Sequence, residues 1–125
     1  DLLAANSPLQ LTSSDKAGVR QALAGDIYTE TRIRLPLLLR LDSMLAAGGA
    51  IYDHATISVE HVLPQTVQPG GQWAADFPDA AQREAWVHKL ANLLLLTRRK
   101  NAQANNADFA VKKAKYFSPK GGTSN

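Results

Sequence analysis

The sequence predicts a single α+β domain that is mostly helical, and three observations indicate this fold class. Its 125 residues are enough for one compact domain and too few for two of ordinary size. Hydrophobic residues make up 45% of the chain and charged residues 20%, which is a globular balance rather than a disordered one. Helical patterns occur in both halves of the chain, whereas strand patterns are confined to two short stretches near its centre.

The N-terminal half predicts two helices. The residues Ser13-Ser14-Asp15 are typical of a helix N-cap, and the helix that they begin runs to about Ala24, before Gly25. A second helix is predicted from about residue 31 to 47, with Pro36 marking its regular start or a kink. Its helically spaced apolar residues are Ile33, Leu37, Leu41, Met44 and Leu45. The pair Gly48-Gly49 is expected to end this helix.

The second half predicts strands and helices in turn. Residues 56–63 alternate, are rich in β-branched side chains and stop at Pro64, which predicts a strand. Residues 65–80 are rich in Pro, Gly and Gln and predict a long loop, a type of segment that is often functional. A helix capped by Asp79 follows, and residues 92–97 are compatible with a short strand or a helix. Residues 101–117 predict one or two helices.

We therefore expect three parts. Residues 1–50 form a helical region that packs on, or links to, an upstream domain; residues 51–118 form the functional core; residues 119–125 form a flexible tail. The chain begins with Asp1 rather than Met, so we expect it to be part of a longer protein. It has no apolar run near the roughly 20 residues that a membrane span needs, so we expect a cytoplasmic protein without a membrane partner.

Composition excludes several kinds of site and indicates one kind of partner. The chain has no cysteine, which excludes a disulfide scaffold, a thiolate zinc site and a cysteine nucleophile. The net charge of +3 is unevenly distributed, because residues 1–50 are neutral whereas residues 88–125 carry eight basic side chains against Asp108 alone. A cationic third of this kind suits an acidic polymer, although most charge runs are simply solvated faces.

One constellation combines residue types that carry chemistry. Glu60 and His61 are adjacent near the end of the predicted strand, and Asn92 and Asn101 lie nine residues apart in the second half. The stretches "ISVEHVLPQT" and "NLLLLTRRKN" that contain them resemble the two halves of an HNH nuclease motif, also called the ββα-metal or His-Me finger fold. Together with "NNADFAVKKAKYF", they are closest to the C-terminal nuclease domain of GmrSD-like, modification-dependent restriction endonucleases. Phosphorothioate-sensing phage-defence nickases are related to that branch.

The resemblance, which covers roughly residues 31–118, implies a function and roles for these residues. It implies helices packed around a small ββα-metal (HNH) motif that cuts double-stranded DNA, as the effector of a restriction or phage-defence protein. His61 would be the general base, Asn92 would brace the loop that orients it, and Glu60 and Asn101 would bind the metal. The last position is often His in this family, so Asn101 is expected to weaken metal affinity. The upstream part would be a nucleotide-hydrolysing or sensing domain.

General chemistry supports the same residue types. A histidine with an ordinary pKa of about 6.5 can deprotonate water near neutral pH. Carboxylate and amide oxygens are hard ligands that favour Mg²⁺ or Mn²⁺ over Zn²⁺. Because Glu60 and His61 are neighbours on a strand, their side chains point to opposite faces, so one shared site requires a twist or a strand end. For contacts to DNA phosphates we single out five basic residues: Arg98, Arg99, Lys100, Lys112 and Lys113.

Plainer interpretations stay open. Taken alone, His61 could be a surface or core histidine, Glu60 could form a salt bridge, and Asn92 and Asn101 could be helix caps. His54 could be an additional ligand or a solvated loop residue, and His88 is expected to cap or pack. The large aromatic residues Trp73, Phe77, Trp86 and Phe109 are expected in the core. The alternative functions are a DNA-binding module without catalysis and a helical protein-interaction domain.

Overall fold

The computed structural model describes residues 7–46 and 55–117 of the chain. Within these ranges the protein has six α-helices, two short 3-10 turns and one two-stranded sheet, which confirms a mostly helical α+β fold. The elements, in chain order, are α1 (Ser13–Ala24), a 3-10 turn (Ile27–Thr29), α2 (Arg34–Leu45), β1 (Ile57–His61), α3 (Gln72–Asp76), α4 (Ala80–Val87), a second 3-10 turn (Leu90–Asn92), β2 (Leu93–Thr97), α5 (Arg98–Ala104) and α6 (Phe109–Tyr116).

The two strands pair antiparallel, although more than thirty residues separate them in the chain. The register places Ile57 opposite Thr97 and His61 opposite Leu93. A backbone bond extends the ladder beyond each end of β1: Val62 donates to the carbonyl oxygen of Asn92 over 3.0 Å, and Arg98 donates to that of Thr56 over 2.6 Å. The ladder therefore fixes where β1 ends, which is where the predicted site lies.

Each face of the sheet packs on a different half of the molecule. Leu93 of β2 forms one hydrophobic cluster with Ile27 and Leu38 of the N-terminal half. Leu96 of β2 forms a second cluster with Ala104 of α5 and Tyr116 of α6. Because successive strand residues point to opposite faces, alternate leucines of β2 serve the two clusters. The sheet is thus the layer that joins the N-terminal helices to the C-terminal ones.

Local signals set the helix boundaries. The N-cap of α1 is Thr12, one residue before the predicted cap cluster, and its hydroxyl accepts from the backbone N–H of Asp15 over 3.1 Å. The Asp15 carboxylate accepts from the Thr12 backbone in return, and bonds from Thr12 hold the pKa of Asp15 below its usual value. Pro36 lies in the first turn of α2, where the absence of an N–H does no harm.

The structure shows the conformation of two segments that the sequence left uncertain, the long predicted loop and the leucine run. Residues 65–80 contain the short helix α3, which the Pro, Gly and Gln content did not indicate. The leucine run forms β2 rather than a helix, because it completes the sheet with β1. The last helical region is two helices, α5 and α6, with Asn105 between them at a positive φ of 40°, a conformation that Asn tolerates better than most residues.

The prediction that the large aromatic residues are buried in the core is wrong for two of them. Trp73 is buried and donates its indole N–H to the carbonyl oxygen of Ala107 over 2.9 Å. In contrast, Trp86 is 54% exposed and Phe109 is 45% exposed. Helix α4, which carries Trp86, has no fully buried residue, and Phe109 meets the buried Trp73 ring edge-on at 5.9 Å while staying partly outside the core.

Some predictions fall outside the described residues. The Gly48-Gly49 helix stop, His54, the boundary between residues 50 and 51, and the tail at residues 119–125 all do so. Among the helices of residues 7–46 and 55–117, none combines the length and the apolar character needed to span a bilayer.

Candidate active site

A polar cleft of about 240 Å³ lies beside the end of β1. It brings together three of the four residues predicted to carry the chemistry, since Glu60, His61 and Asn101 all line it. Its other lining residues are Tyr28, Val59, Pro64, Gln65, Asn105, Asn106 and Lys112. Glu60 and His61 are neighbours on β1, and the side chains of neighbouring strand residues point to opposite faces. Both residues can line this cleft because the strand ends at His61.

His61 is the last residue of β1 and is almost fully buried. Its Nε2 lies 3.4 Å from Nδ1 of His88, the residue that ends α4. The ring of Tyr28 meets the His61 ring edge-on, with the centroids 4.2 Å apart, and stacks on the ring of His88 at 5.3 Å. Two rings from separate elements, those of Tyr28 and His88, therefore hold the imidazole in place.

The surroundings of His61 favour the neutral imidazole. Burial, together with the nearby His88, Lys112 and Arg34, lowers the pKa of His61 from 6.5 to about 4. Burial is the largest cause, because the charged form loses its hydration, and nearby positive charge acts in the same direction. At neutral pH the ring is therefore neutral with one unprotonated nitrogen, and the same surroundings make it a weaker base than an ordinary histidine.

Glu60 takes part in a buried polar network beneath the strand. Its Oε1 forms a salt bridge with Nζ of Lys112 at 2.9 Å and accepts from the hydroxyl of Tyr116 at 2.9 Å. Lys112 also donates to the carbonyl oxygen of His61 over 2.6 Å. The Tyr116 hydroxyl stays protonated, since burial and the Glu60 carboxylate raise its pKa. One lysine therefore fixes both residues of the Glu60-His61 pair.

Asn101 joins the first turn of α5 to β1. Its side-chain amino group donates to the hydroxyl of Ser58 over 2.9 Å and to the carbonyl oxygen of Val59 over 3.0 Å. Because a backbone carbonyl can only accept, these bonds define the orientation of the amide. The amide oxygen Oδ1 takes no part in them.

Three atoms of these residues therefore remain available at the cleft. In the described part of the chain, no buried side-chain nitrogen or oxygen lacks a hydrogen-bond partner. Nδ1 of His61, Oε2 of Glu60 and Oδ1 of Asn101 have no partner among the described residues, so each is in contact with solvent. Each of the three residues that line the cleft therefore has one side-chain nitrogen or oxygen without a hydrogen-bond partner among the described residues.

Asn92 does not line the cleft; it fixes the chain that follows His61. Its Oδ1 accepts from the backbone N–H of Leu63 over 2.7 Å, and its amino group donates to the carbonyl oxygens of Leu63 and Val87 at 3.0 and 2.9 Å. All three bonds are to backbone atoms, and the side chain is buried. This arrangement suits the bracing role that the resemblance implies for Asn92.

The five basic residues predicted to contact phosphate separate into two groups. Arg98, Arg99 and Lys113 are exposed. Lys100 and Lys112 are buried, with 2% and 1% of their surface exposed, and the ammonium group of Lys100 donates to the carbonyl oxygen of Tyr116 over 2.8 Å. Interior hydrogen bonds hold both ammonium groups and leave little of either lysine exposed, and Lys112 also lines the cleft; phosphate contacts by these two residues stay a prediction. Lys112 belongs to the interior network that holds Glu60.

The oxygen donors of the cleft fit a hard divalent cation only in part. No group of three or more His, Cys, Asp or Glu side chains converges within residues 7–46 and 55–117. Glu60 and Asn101 offer one carboxylate oxygen and one amide oxygen, a small set that Mg²⁺ accepts because it keeps several waters and binds substrate phosphates. Lys112, which is bonded to the same carboxylate, opposes a second positive charge there.

Sequence reasoning missed the N-terminal contribution to the site. Tyr28 and Arg34 come from the half that we expected to serve as a platform, yet Tyr28 contacts His61 directly. Arg34 lies over the Tyr28 ring at 4.4 Å and donates to the Tyr28 carbonyl oxygen over 2.7 Å. No local motif marks these two residues. His88 packs as expected, but against the predicted base itself.

Comparison with known proteins decides the family. The family model described as "GmrSD restriction endonucleases, C-terminal domain" matches residues 13–124. The chain belongs to this family. Searches of curated proteins and of solved structures found no significant match. The matched range of this GmrSD C-terminal domain contains every residue of the cleft described above.

Proposed function

We propose that this GmrSD C-terminal domain is a metal-dependent nuclease that hydrolyses phosphodiester bonds of double-stranded DNA, with His61 as the general base. The observation that carries the proposal is the cleft, which His61, Glu60 and Asn101 line together. A base beside hard oxygen ligands is the donor set that hydrolysis of a phosphodiester needs. One such site cuts one strand, so the domain nicks DNA.

His61 accepts a proton from the attacking water. Its lowered pKa keeps the imidazole neutral at pH 7, and with the proton on Nε2 facing His88, Nδ1 is the accepting nitrogen. His61 Nε2 and His88 Nδ1 lie 3.4 Å apart, and the proposed tautomer has Nε2 of His61 as the donor and Nδ1 of His88 as the acceptor. Asn92 keeps the segment after His61 in place, so it acts as a positioning residue for the base.

Glu60 and Asn101 would hold Mg²⁺ or Mn²⁺ through Oε2 and Oδ1. When bound, the cation supplies positive charge that offsets the negative charge of the transition state and of the departing 3′ oxygen. The chain contributes only two ligands, and Lys112 reduces the net negative charge at Glu60. We therefore infer weak metal affinity for the free protein, raised when a DNA phosphate completes the ligand set.

The substrate and the partners follow from the surface charge and from the family. The exposed Arg98, Arg99 and Lys113 bind DNA phosphates, since such contacts supply most non-specific affinity. As a C-terminal domain, the chain works with an upstream nucleotide-hydrolysing or sensing domain, in a cytoplasmic restriction or phage-defence protein. Helix α1 has no fully buried side chain in the described structure, so it offers surface for that domain.

The test is relaxation of supercoiled plasmid by the purified protein, with Mg²⁺ or Mn²⁺ and with EDTA. Wild-type protein converts plasmid to the nicked circle only with metal, and Glu60→Gln and His61→Gln abolish this conversion. Glu84→Gln, which changes an exposed carboxylate of α4, serves as the matched control and nicks normally. Salt-sensitive DNA binding without scission in any metal would instead support the non-catalytic DNA-binding module.

A further inference from the structure

A second and larger cleft, of about 510 Å³, opens beside the catalytic one. It lies between the start of α2, the strand β1 and the start of α5. Its lining residues are Tyr28, Thr31, Arg34, Leu35, Ile57, Ser58, Val59, Arg98, Asn101 and Ala102. Three of these, Tyr28, Val59 and Asn101, also line the catalytic cleft, so the two clefts adjoin.

The charge of this second cleft is positive. Arg34 and Arg98 are its ionic side chains, and none of its lining residues is acidic. The catalytic cleft differs, because Glu60 and Lys112 both line it and are paired with each other. An anion entering the second cleft would therefore meet two guanidinium groups and no opposing carboxylate among its lining residues.

Arg34 is held in place and still has donors to offer. Its Nη1 donates to the carbonyl oxygen of Tyr28 over 2.7 Å, and its guanidinium carbon lies 4.4 Å from the centre of the Tyr28 ring. A guanidinium has five N–H donors, and one of them makes this bond. A fixed planar fork suits phosphate oxygens better than a flexible ammonium does, because less freedom is lost on binding.

Arg98 completes the cleft from the other side. It is the first residue of α5, its backbone N–H is bonded to the carbonyl oxygen of Thr56, and its side chain is exposed. The hydroxyl group of Thr31 adds a neutral donor to the lining, whereas the Ser58 hydroxyl already donates to the carbonyl oxygen of Leu96 over 3.3 Å. Two guanidinium groups and the Thr31 hydroxyl are a donor-rich lining that matches a sugar–phosphate backbone.

We propose that this cleft binds a backbone phosphate of the DNA strand being cut, next to the scissile phosphate, with Arg34 and Arg98 as its donors. The inference rests on the proposed nuclease function and adds to it a substrate position. It also explains why the N-terminal half belongs to the active unit: Arg34 precedes the nuclease motif by 26 residues, counted to Glu60, yet reaches the same groove. Arg34 is a binding residue under this proposal.

The first test measures binding of a labelled duplex to the full chain carrying His61→Gln, which does not cut. On that background Arg34→Gln and Arg98→Gln each weaken binding and each reduce the slope of log affinity against log salt by about one. Arg40→Gln, an exposed arginine on α2 outside the cleft, is the control and leaves the slope unchanged. An unchanged slope in either cleft variant, or an equal loss in Arg40→Gln, overturns the inference.

The second test addresses position. At a nick site mapped with wild-type protein, the phosphate next to the cut is replaced by a neutral methylphosphonate. The replacement weakens binding by protein with Arg34 intact and leaves binding by Arg34→Gln unchanged; equal losses in both overturn the inference. Arg98→Gln, which changes an exposed side chain, repeats the measurement in case Arg34→Gln perturbs the packing of Tyr28.

Plasmid relaxation by wild-type protein is measured in parallel. Nicking that depends on His61, combined with unchanged salt slopes, means that the phosphate site is wrong while the nuclease function stands. Arg34-dependent binding without nicking means that phosphate binding in this cleft stands while the nuclease function is wrong.

Discussion

At the scale of single residues, the buried ammonium group of Lys112 holds the site together, a role that its position in a run of basic residues does not indicate. It bonds the Glu60 carboxylate and the His61 carbonyl oxygen at once, from a side chain that is 1% exposed. Burying a charge is costly unless it is paired and hydrogen-bonded, and here both conditions are met. Lys112 therefore sets the position of both residues at the end of β1.

Replacing Lys112 should destabilise the protein strongly. Lys112→Met keeps most of the side-chain volume but leaves the Glu60 carboxylate buried without its partner, so we expect a loss of about 3–5 kcal/mol in the free energy of unfolding. The matched control is Lys113→Met, its exposed neighbour, for which we expect a change within about 0.5 kcal/mol. Urea unfolding measures both. Similar losses in the two variants would show that Lys112 is not the interior partner of Glu60.

His61 should make stability depend on pH. Its pKa is about 4 in the folded protein and 6.5 as the ordinary value, so between these limits the unfolded chain binds more protons. As the pH falls from 6.5 to 4, the free energy of unfolding should therefore decrease, by at most about 1.4 kcal/mol per pH unit, and this contribution is fully present above pH 6.5.

The measurement compares urea midpoints of wild-type protein and His61→Gln at pH 7 and pH 5, with EDTA present. We expect the wild type to lose more stability than the variant over this interval. Parallel losses would mean that His61 titrates normally in the folded state.

The Glu60-His61 pair, Asn92 and Asn101 could be singled out from sequence because their spacing follows a known pattern. The interior role of Lys112 could not, since a run of lysines gives no sign of which side chain is covered. The one available signal is the i to i+4 spacing from Lys112 to Tyr116, which puts both on one helix face. Tyr28 and Arg34 had no signal, because their contacts with the site arise only from tertiary packing.

At the scale of elements, the 3-10 turn before β2 is the part that steadies the base. It ends at Asn92, whose side chain bonds the backbone of Leu63 twice and that of Val87 once. The chain leaving β1 at His61 is thereby tied to the chain entering β2. A strand end would otherwise fray, and fraying here would displace His61, the proposed general base.

Asn92→Ala should therefore lower both stability and nicking rate. The variant leaves the Leu63 N–H and two carbonyl oxygens without partners, and each unsatisfied buried group costs about 1–3 kcal/mol. Gln103→Ala, which removes an exposed amide on α5, is the control and should change stability by less than about 0.5 kcal/mol. Thermal unfolding and plasmid nicking measure the two effects. A stable, inactive Asn92→Ala would contradict the bracing role and indicate direct participation.

Most elements could be predicted from sequence, and the exceptions have physical causes. The strand β1 and the helices α1 and α4 carry strong local signals in their alternation and their caps. The leucine run of β2 is apolar without a period, so only its pairing with β1 decides its conformation. The exposed Trp86 and Phe109 show that short helices in a small domain leave large side chains outside.

At the scale of the whole molecule, the sheet joins a neutral half to a cationic one. Ile27 and Leu38 pack on one side of β2, and Ala104 and Tyr116 pack on the other. The catalytic cleft lies at the end of this sheet, and the arginine-lined cleft adjoins it. The N-terminal half is thus part of the groove proposed to bind DNA, beyond any role as a platform for an upstream domain.

The central claim is that His61, in the cleft at the end of β1, is the base of a metal-dependent nuclease. The most direct measurement is the initial rate of plasmid nicking in Mg²⁺ or Mn²⁺ by wild-type protein and by His61→Ala, with and without added imidazole. We predict that His61→Ala is at least about 100-fold slower, as expected for loss of a general base, and that imidazole restores part of the rate. Nicking by His61→Ala at the wild-type rate would contradict the claim.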